Sequence, residues 1–254
     1  MLISSLLSRF TIMAIAVSSL FLCTGCTPNP HSVEESTEDL EVNAISNTLL
    51  GETEDMGEEY LDRMIFVGDS NTAHLVSFGV LRGGKSTDRV WLPKGNTLTL
   101  DSEITNKTVL FPPTGEYLTI PEAASKGKPE YLVISLGTNG IASLDETQFK
   151  YCYKKLIVAI RAASPKTKII VQSIYPVTSQ YKGFSNLTVD RANGWLLSLA
   201  EECGVKYVDT ASVLKDAYGA LKEEYNSDHM DGYHINKEAA EQILLYIRTH
   251  GYAE

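Results

Sequence analysis

Between Cys26 and Arg63 the chain has no lysine or arginine, yet it carries eleven acidic residues there: Glu34, Glu35, Glu38, Asp39, Glu41, Glu52, Glu54, Asp55, Glu58, Glu59 and Asp62. That stretch accounts for the formal charge of −10 over 254 residues. Setting those eleven and Arg9 aside from totals of 32 acidic and 22 basic residues leaves 21 of each sign from Arg63 onward. A neutral body without a basic stripe offers no footing for nucleic acid and no polybasic surface for anionic lipid. The acidic stretch, stiffened at its start by Thr27-Pro-Asn-Pro30 and poor in apolar residues, reads as a flexible tether over 26–62.

Long hydrophobic runs are lacking as well. The longest, from Phe10 to Leu22, is shorter than the roughly 20 apolar residues a membrane span needs. With Arg9 before it and Leu22-Cys23-Thr24-Gly25-Cys26 after it, residues 1–25 read as an export signal. The last five residues resemble the lipobox of bacterial lipoproteins, although Cys23 stands where that motif usually has leucine. The resemblance implies cleavage after Gly25, lipid on Cys26, and a protein held on the extracytoplasmic face of a bacterial cell membrane. Each buried acyl methylene contributes about 0.8 kcal/mol to such an anchor. A plain secretory signal with an incidental cysteine is the blander alternative.

Cysteine is scarce, at four residues. Once Cys23 and Cys26 are assigned to the signal and the lipid, Cys152 and Cys203 remain, both within expected helices. Two cysteines are no disulfide framework, and two small buried hydrophobes is the simpler reading. No Cys/His cluster has zinc-ligand spacing, so neither a metal nor an organic cofactor is expected.

What the chain does have begins at Met64: short apolar runs alternating with amphipathic segments, the pattern of βαβ units and a parallel sheet. Strands are expected at 64–67, 89–92, 131–136, 168–174 and 205–208, and helices at about 71–80, 145–163, 188–203 and 236–250. The continuous apolar character of the strands fits burial on both faces. The expected fold is a single α/β domain over 63–254, a three-layer α/β/α sandwich around a mainly parallel five-stranded sheet. Residues 96–130, broken by Pro112, Pro113 and Gly115, read as an inserted hairpin over the sheet edge, and 175–187 as a loop over the functional end.

Four short strings carry chemistry. Gly68-Asp69-Ser70 follows the first strand and opens a helix, where a serine hydroxyl is exposed above free N–H groups that favour developing negative charge. Taken alone, it is more often a plain turn with an N-cap. Asp231-Gly-Tyr-His234, before the last helix, supplies a base and a carboxylate from one tight loop, as a serine nucleophile requires; a solvated capping loop is the alternative. His229 is a decoy with Asn226, not a carboxylate, three residues before it. Gly137-Thr138-Asn139-Gly140 ends the middle strand, where an asparagine amide can donate to an oxyanion, and Gly95 follows the second strand. His74, one turn after Ser70, is in reach of a substrate but reads first as a helix-face histidine.

In this order the four strings resemble the blocks of the SGNH hydrolases, also called GDSL lipases and esterases, across residues 63–254, and the resemblance implies a flavodoxin-like order for the five-stranded sheet. The resemblance implies Ser70 as nucleophile, His234 as general base and then acid, and Asp231 as its orienting partner. It also implies an oxyanion hole from the backbone N–H groups of Ser70 and Gly95 with the Asn139 amide. Asn71 stands where the GDSL name has leucine, and Gly140 where the third block often has aspartate. The expected activity is hydrolysis of carboxylic esters through an acyl-enzyme, with acetyl or short acyl groups on polysaccharide or cell-envelope glycans as substrate. An O-acyltransferase using the same triad, and a catalytically silent glycan-binding lipoprotein, are the rivals.

Overall fold

In the computed structural model, which describes residues 47–227 and 230–252, five parallel strands build the central sheet. They are β1 (Met64–Gly68), β2 (Val90–Trp91), β5 (Tyr131–Ser135), β6 (Lys168–Gln172) and β7 (Lys206–Val208), in the order β2-β1-β5-β6-β7. Counted within the sheet, this is the flavodoxin order, with the chain reversing direction at β1. The export signal, the lipid site at Cys26, most of the tether and His229 lie outside the described residues.

Successive strand residues point to opposite faces, and both faces are apolar, so the sheet is covered twice. On one side Val67, Leu132, Ile134, Ile169 and Val171 pack against α3 (Ile120–Gly127), α4 (Glu146–Ala163) and α5 (Asn186–Cys203). On the other, Met64, Phe66, Val133, Ile170 and Val208 meet residues of α1 (Gly57–Leu61), α2 (Ser70–Ser77) and α7 (Lys237–Thr249). A one-turn α6 (Ala211–Leu214) follows β7. Leu156 of α4 is fully buried, and cutting it to alanine costs about 2–5 kcal/mol by the usual cavity argument.

The helix starts are specified locally. Asp145 accepts from the Gln148 N–H and Gln148 reaches back to the Asp145 N–H, a capping box at the head of α4. Ser185 caps α5 and Asn236 caps α7 in the same way, each accepting from a backbone N–H of the first turn. Cys152 and Cys203 are buried and unpaired by any disulfide, in α4 and α5. No helix among the described residues is long and apolar enough to cross a membrane.

Two expectations need correction. The composition predicts a tether running to residue 62, but residues 47–62 pack on the body. Leu50 is buried and its N–H donates to the Tyr207 carbonyl at 2.8 Å, while Tyr60 and Leu61 are buried in the second core layer. Arg248 on α7 pairs with Asp55 and Glu58, so carboxylates that read as solvated have a cationic partner 190 residues away in sequence. The inserted region 96–130 does hold a hairpin, β3 (Thr108–Phe111) and β4 (Glu116–Thr119). Its Leu110 N–H donates to Leu92 beyond the edge strand β2. It also contains α3, which the reading as a hairpin leaves out; its signal is Thr119-Ile-Pro-Glu122, a capping box with proline in the first turn.

Candidate active site

The site assembles where β1, β5 and the segment before α7 converge at the carboxyl end of the sheet. β1 ends in Gly68, where a Cβ would lie 2.0 Å from Thr72 Oγ1 and 2.6 Å from the Ser135 carbonyl oxygen, so no side chain fits. Asp69 then caps α2, its Oδ1 accepting from the Asn71 N–H at 3.1 Å. Ser70 is the first helical residue, and its N–H has no acceptor within the helix. Because Gly68 is in register with Ser135, the turn 137–140 after β5 comes alongside.

The third piece is the loop before α7. It is pinned to itself by the Ser227 N–H donating to the His234 carbonyl at 2.9 Å. Asp231 Oδ1 accepts from the N–H groups of Tyr233 (2.9 Å) and His234 (2.8 Å), which curls the loop and brings the His234 ring back over its own carboxylate. Asp231 Oδ2 lies 2.7 Å from His234 Nδ1, and His234 Nε2 lies 2.9 Å from Ser70 Oγ. Burial alone would raise the Asp231 carboxyl, but the His234 N–H, the His234 ring and the Tyr233 N–H outweigh it and hold the group down at about 2. An ionised carboxylate only accepts, so Nδ1 carries the imidazole proton and the Nε2 lone pair faces the serine hydroxyl. The arrangement can therefore take a proton from Ser70.

Asn139 reaches the same place and is held at both ends of its amide. Its Nδ2 donates to Asp69 Oδ2 at 3.1 Å, and its Oδ1 accepts from the Tyr233 hydroxyl at 3.3 Å. One amide hydrogen is thereby committed and the other is left to donate elsewhere. Asp69 is 2 % exposed, and that burial pushes its carboxyl up to about 6 against the lowering by the Asn71 N–H, His234 and the Asn139 amide. Burial likewise pushes the Tyr233 hydroxyl up to about 12, so it stays a donor at neutral pH.

The structure brings Ser70, Asp231 and His234 together and puts Asn139 beside them through Asp69 and Tyr233. Gly95 lies in an exposed turn past β2 with φ +79°, a left-handed backbone that favours glycine. His74 does not stand apart on a helix face: its ring centroid is 5.3 Å from that of His234, so the two imidazoles are packed together. Sequence reasoning missed three residues. Asp69 was visible only as an N-cap, and Tyr233 only as the spacer in Asp-Gly-Tyr-His. Asn71 was visible only as a departure from leucine; it donates to the Tyr233 carbonyl and accepts from the Ile235 N–H, each at 3.4 Å. Among the described residues no group of three or more His, Cys, Asp or Glu side chains is placed to hold a metal ion.

A serine hydroxyl, an imidazole and a carboxylate thus stand in series at the carboxyl edge of a doubly wound sheet. Residues 66–242 match the model of the GDSL-like Lipase/Acylhydrolase family, so the chain belongs to that family and is a carboxylic ester hydrolase. Among solved structures it is similar to a protein of Streptococcus pneumonia provisionally named a platelet activating factor, with 21% identity and TM-score 0.53, covering 82% of this chain and 96% of that one. It is also similar to a GDSL-like lipase from Bacteroides thetaiotaomicron VPI-5482, with 15% identity and TM-score 0.50, covering 82% and 92%. These likenesses bear on the fold. No curated protein matches the chain.

Proposed function

We propose that Ser70 is the nucleophile, His234 the general base and then acid, and Asp231 the orienting carboxylate of an esterase that removes acetyl or other short acyl groups from glycans. The observation that carries this reading is the unbroken series from Asp231 Oδ2 through His234 to Ser70 Oγ, with contacts of 2.7 and 2.9 Å. As Oγ adds to the ester carbonyl, His234 Nε2 takes its proton and Asp231 stabilises the imidazolium. The N–H groups of Ser70 and Gly95 and the free amide hydrogen of Asn139 stabilise the oxyanion. Collapse expels the alcohol, which leaves with the proton from Nε2. A water molecule, deprotonated by the same nitrogen, then hydrolyses the acyl-Ser70 ester.

The glycan part of the reading is supported by the surroundings of the serine. Tyr181, Phe184 and Tyr233 form a connected aromatic cluster beside His234, and Thr178, Ser179 and Asn186 line the adjoining concavity of about 370 Å3. Such a surface suits a hydroxyl-rich alcohol. The N-terminal sequence supports an extracytoplasmic, membrane-held enzyme: Arg9, the apolar run to Leu22 and Cys26 have the order of a lipoprotein signal. Palmitate labelling of the parent and its loss in Cys26→Ser test the anchor.

The decisive experiment is a fluorophosphonate probe with steady-state kinetics on p-nitrophenyl acetate. The parent is expected to label and turn over. Ser70→Ala and His234→Ala are each expected to lower kcat by roughly 10⁴–10⁶ while remaining folded. Near-normal hydrolysis by Ser70→Ala overturns the assignment.

A further inference from the structure

The aromatic cluster beside His234 does not end the functional surface. Phe184, whose ring is 6.5 Å from Tyr233, also forms one wall of a second concavity of about 480 Å3 between the turn after β5 and the face of α5. Its other walls include Trp195, Arg191 and Thr188 of α5, with Asp145 and Glu146 at the head of α4. Neither the ester-cleaving series nor the oxyanion donors use any of these residues. We propose that this groove is a distal sugar subsite, which binds an unreacted pyranose ring of an oligosaccharide whose acyl group is presented to Ser70.

The inference rests on the esterase reading above and names the alcohol half of its substrate. Trp195 is half-buried, packed at a tilt on Phe149 at 5.6 Å between centroids, and lines the groove. A fixed indole loses little entropy on binding, and its electron-rich face suits the polarised C–H groups of a pyranose. Arg191 has no ion-pair partner among the described residues, so its donors are available to the groove. The Asp145 carboxylate opposite accepts one backbone N–H, from Gln148, and retains acceptor capacity. A sugar diol donates and accepts at once, and the groove offers an acceptor, a donor and an aromatic surface together. A fatty acyl chain would leave the guanidinium and the carboxylates without partners as it displaced their water. Phe184 lines both this groove and the one beside Tyr233, so the two concavities are neighbours on the side of the site that holds the Tyr181, Phe184 and Tyr233 rings.

Two readouts test this on the full chain in detergent. The chain has two tryptophans, and Trp91 is 1 % exposed, so a fluorescence change on adding xylotetraose or chitotetraose reports Trp195. A saturable change with at least one of them, lost in Trp195→Phe with Arg191→Ala weakening it, is expected; no change with either overturns the subsite. In kinetics, kcat/KM of the parent is expected to rise from an acetylated monosaccharide to acetylated tetrasaccharides. Trp195→Ala is expected to remove that rise through a KM increase of about tenfold, with kcat held. Trp195→Tyr is expected to restore most of it. Chain-length independence in the parent, or equal losses in Trp195→Ala on tetrasaccharide and p-nitrophenyl acetate, refutes the subsite. If p-nitrophenyl acetate is hydrolysed and acetylated glycans are not, the subsite falls and the esterase stands. If the parent hydrolyses no ester, the esterase reading itself has failed.

Discussion

Replacing Asp69 by asparagine should make the protein more stable relative to the parent as the pH is raised, and less active. Asp69 is 2 % exposed and its folded carboxyl sits at about 6, against 3.8 for an ordinary aspartate. A shift of that size corresponds to about 3 kcal/mol. Below about pH 4 both the folded and unfolded states hold the proton, and no penalty arises. Between about 4 and 6 the unfolded chain has lost a proton that the folded chain keeps, so the parent loses stability as pH rises; above 6 the loss is complete. An asparagine in that place has nothing to titrate. The stability of Asp69→Asn relative to the parent should therefore rise by about 2.4 kcal/mol from pH 4 to pH 7, most of the full difference, whatever fixed packing change the substitution brings. Asp231 works with the opposite sign in a separate window, since its folded carboxyl lies at about 2: its stabilisation is present above about pH 4 and is lost as pH falls towards 2. Both proteins keep Asp231, so it cancels. Activity should fall meanwhile: if the substituted side chain keeps its oxygen on the Asn71 N–H, its amide faces the Asn139 amide, donor against donor. The assay is urea unfolding of both proteins at pH 4, 5, 6 and 7, with kcat at pH 7. Parallel stability profiles would refute the burial argument, and an unchanged kcat would refute the role of Asp69 in holding Asn139.

Asn139→Ala should cost about 10²–10³ in kcat with little change in KM, because an oxyanion donor acts mainly in the transition state; a rise in KM at constant kcat would make Asn139 a ground-state binder. Asp231→Asn should lower kcat by up to about 10⁴ with the fold intact, since an asparagine no longer compels the proton onto Nδ1; steady-state kinetics with a thermal melt check both halves. Asn71→Leu, although it restores the residue of the GDSL name, should leave the Tyr233 carbonyl and the Ile235 N–H without their partner at about 1–3 kcal/mol each, read as a lower Tm.

How far the sequence could be read follows from the range of the forces involved. The five strands and the helices at 70–77, 146–163, 186–203 and 237–249 were legible because period and capping are local: Asp145, Asn236 and the apolar runs need no knowledge of the rest of the chain. The sheet order became legible through the family resemblance. The hairpin at 108–119 was legible from Pro112, Pro113 and Gly115. What failed was non-local. Residues 47–62 looked solvated because their cationic partner, Arg248, is on the last helix. In the site, Ser70, Asp231 and His234 were legible as residue types in order, whereas the bonds from Asp69 and Tyr233 to Asn139 join positions 70 and 94 residues apart.

The two departures from the family pattern show how one chain absorbs them. At Asn71, where the GDSL name has leucine, stands an amide, 3 % exposed, that bonds both sides of the loop carrying His234, at Tyr233 and Ile235. The polar side chain is tolerable there because both its oxygen and its nitrogen find backbone partners. It ties the loop of His234 to the first turn of the helix that begins at Ser70. At Gly140 the backbone has φ +152°, and a Cβ would sit 3.1 Å from the Leu100 carbonyl oxygen. Leu100 is there because its N–H donates to the Asn139 carbonyl at 2.9 Å, so the segment after Gly95 packs directly on the turn that carries Asn139. An aspartate at 140 would be strained and crowded in this backbone. The turn is held by the Leu100 N–H, and the Asn139 amide by Asp69 and Tyr233, so no carboxylate at 140 is needed to orient Asn139 here.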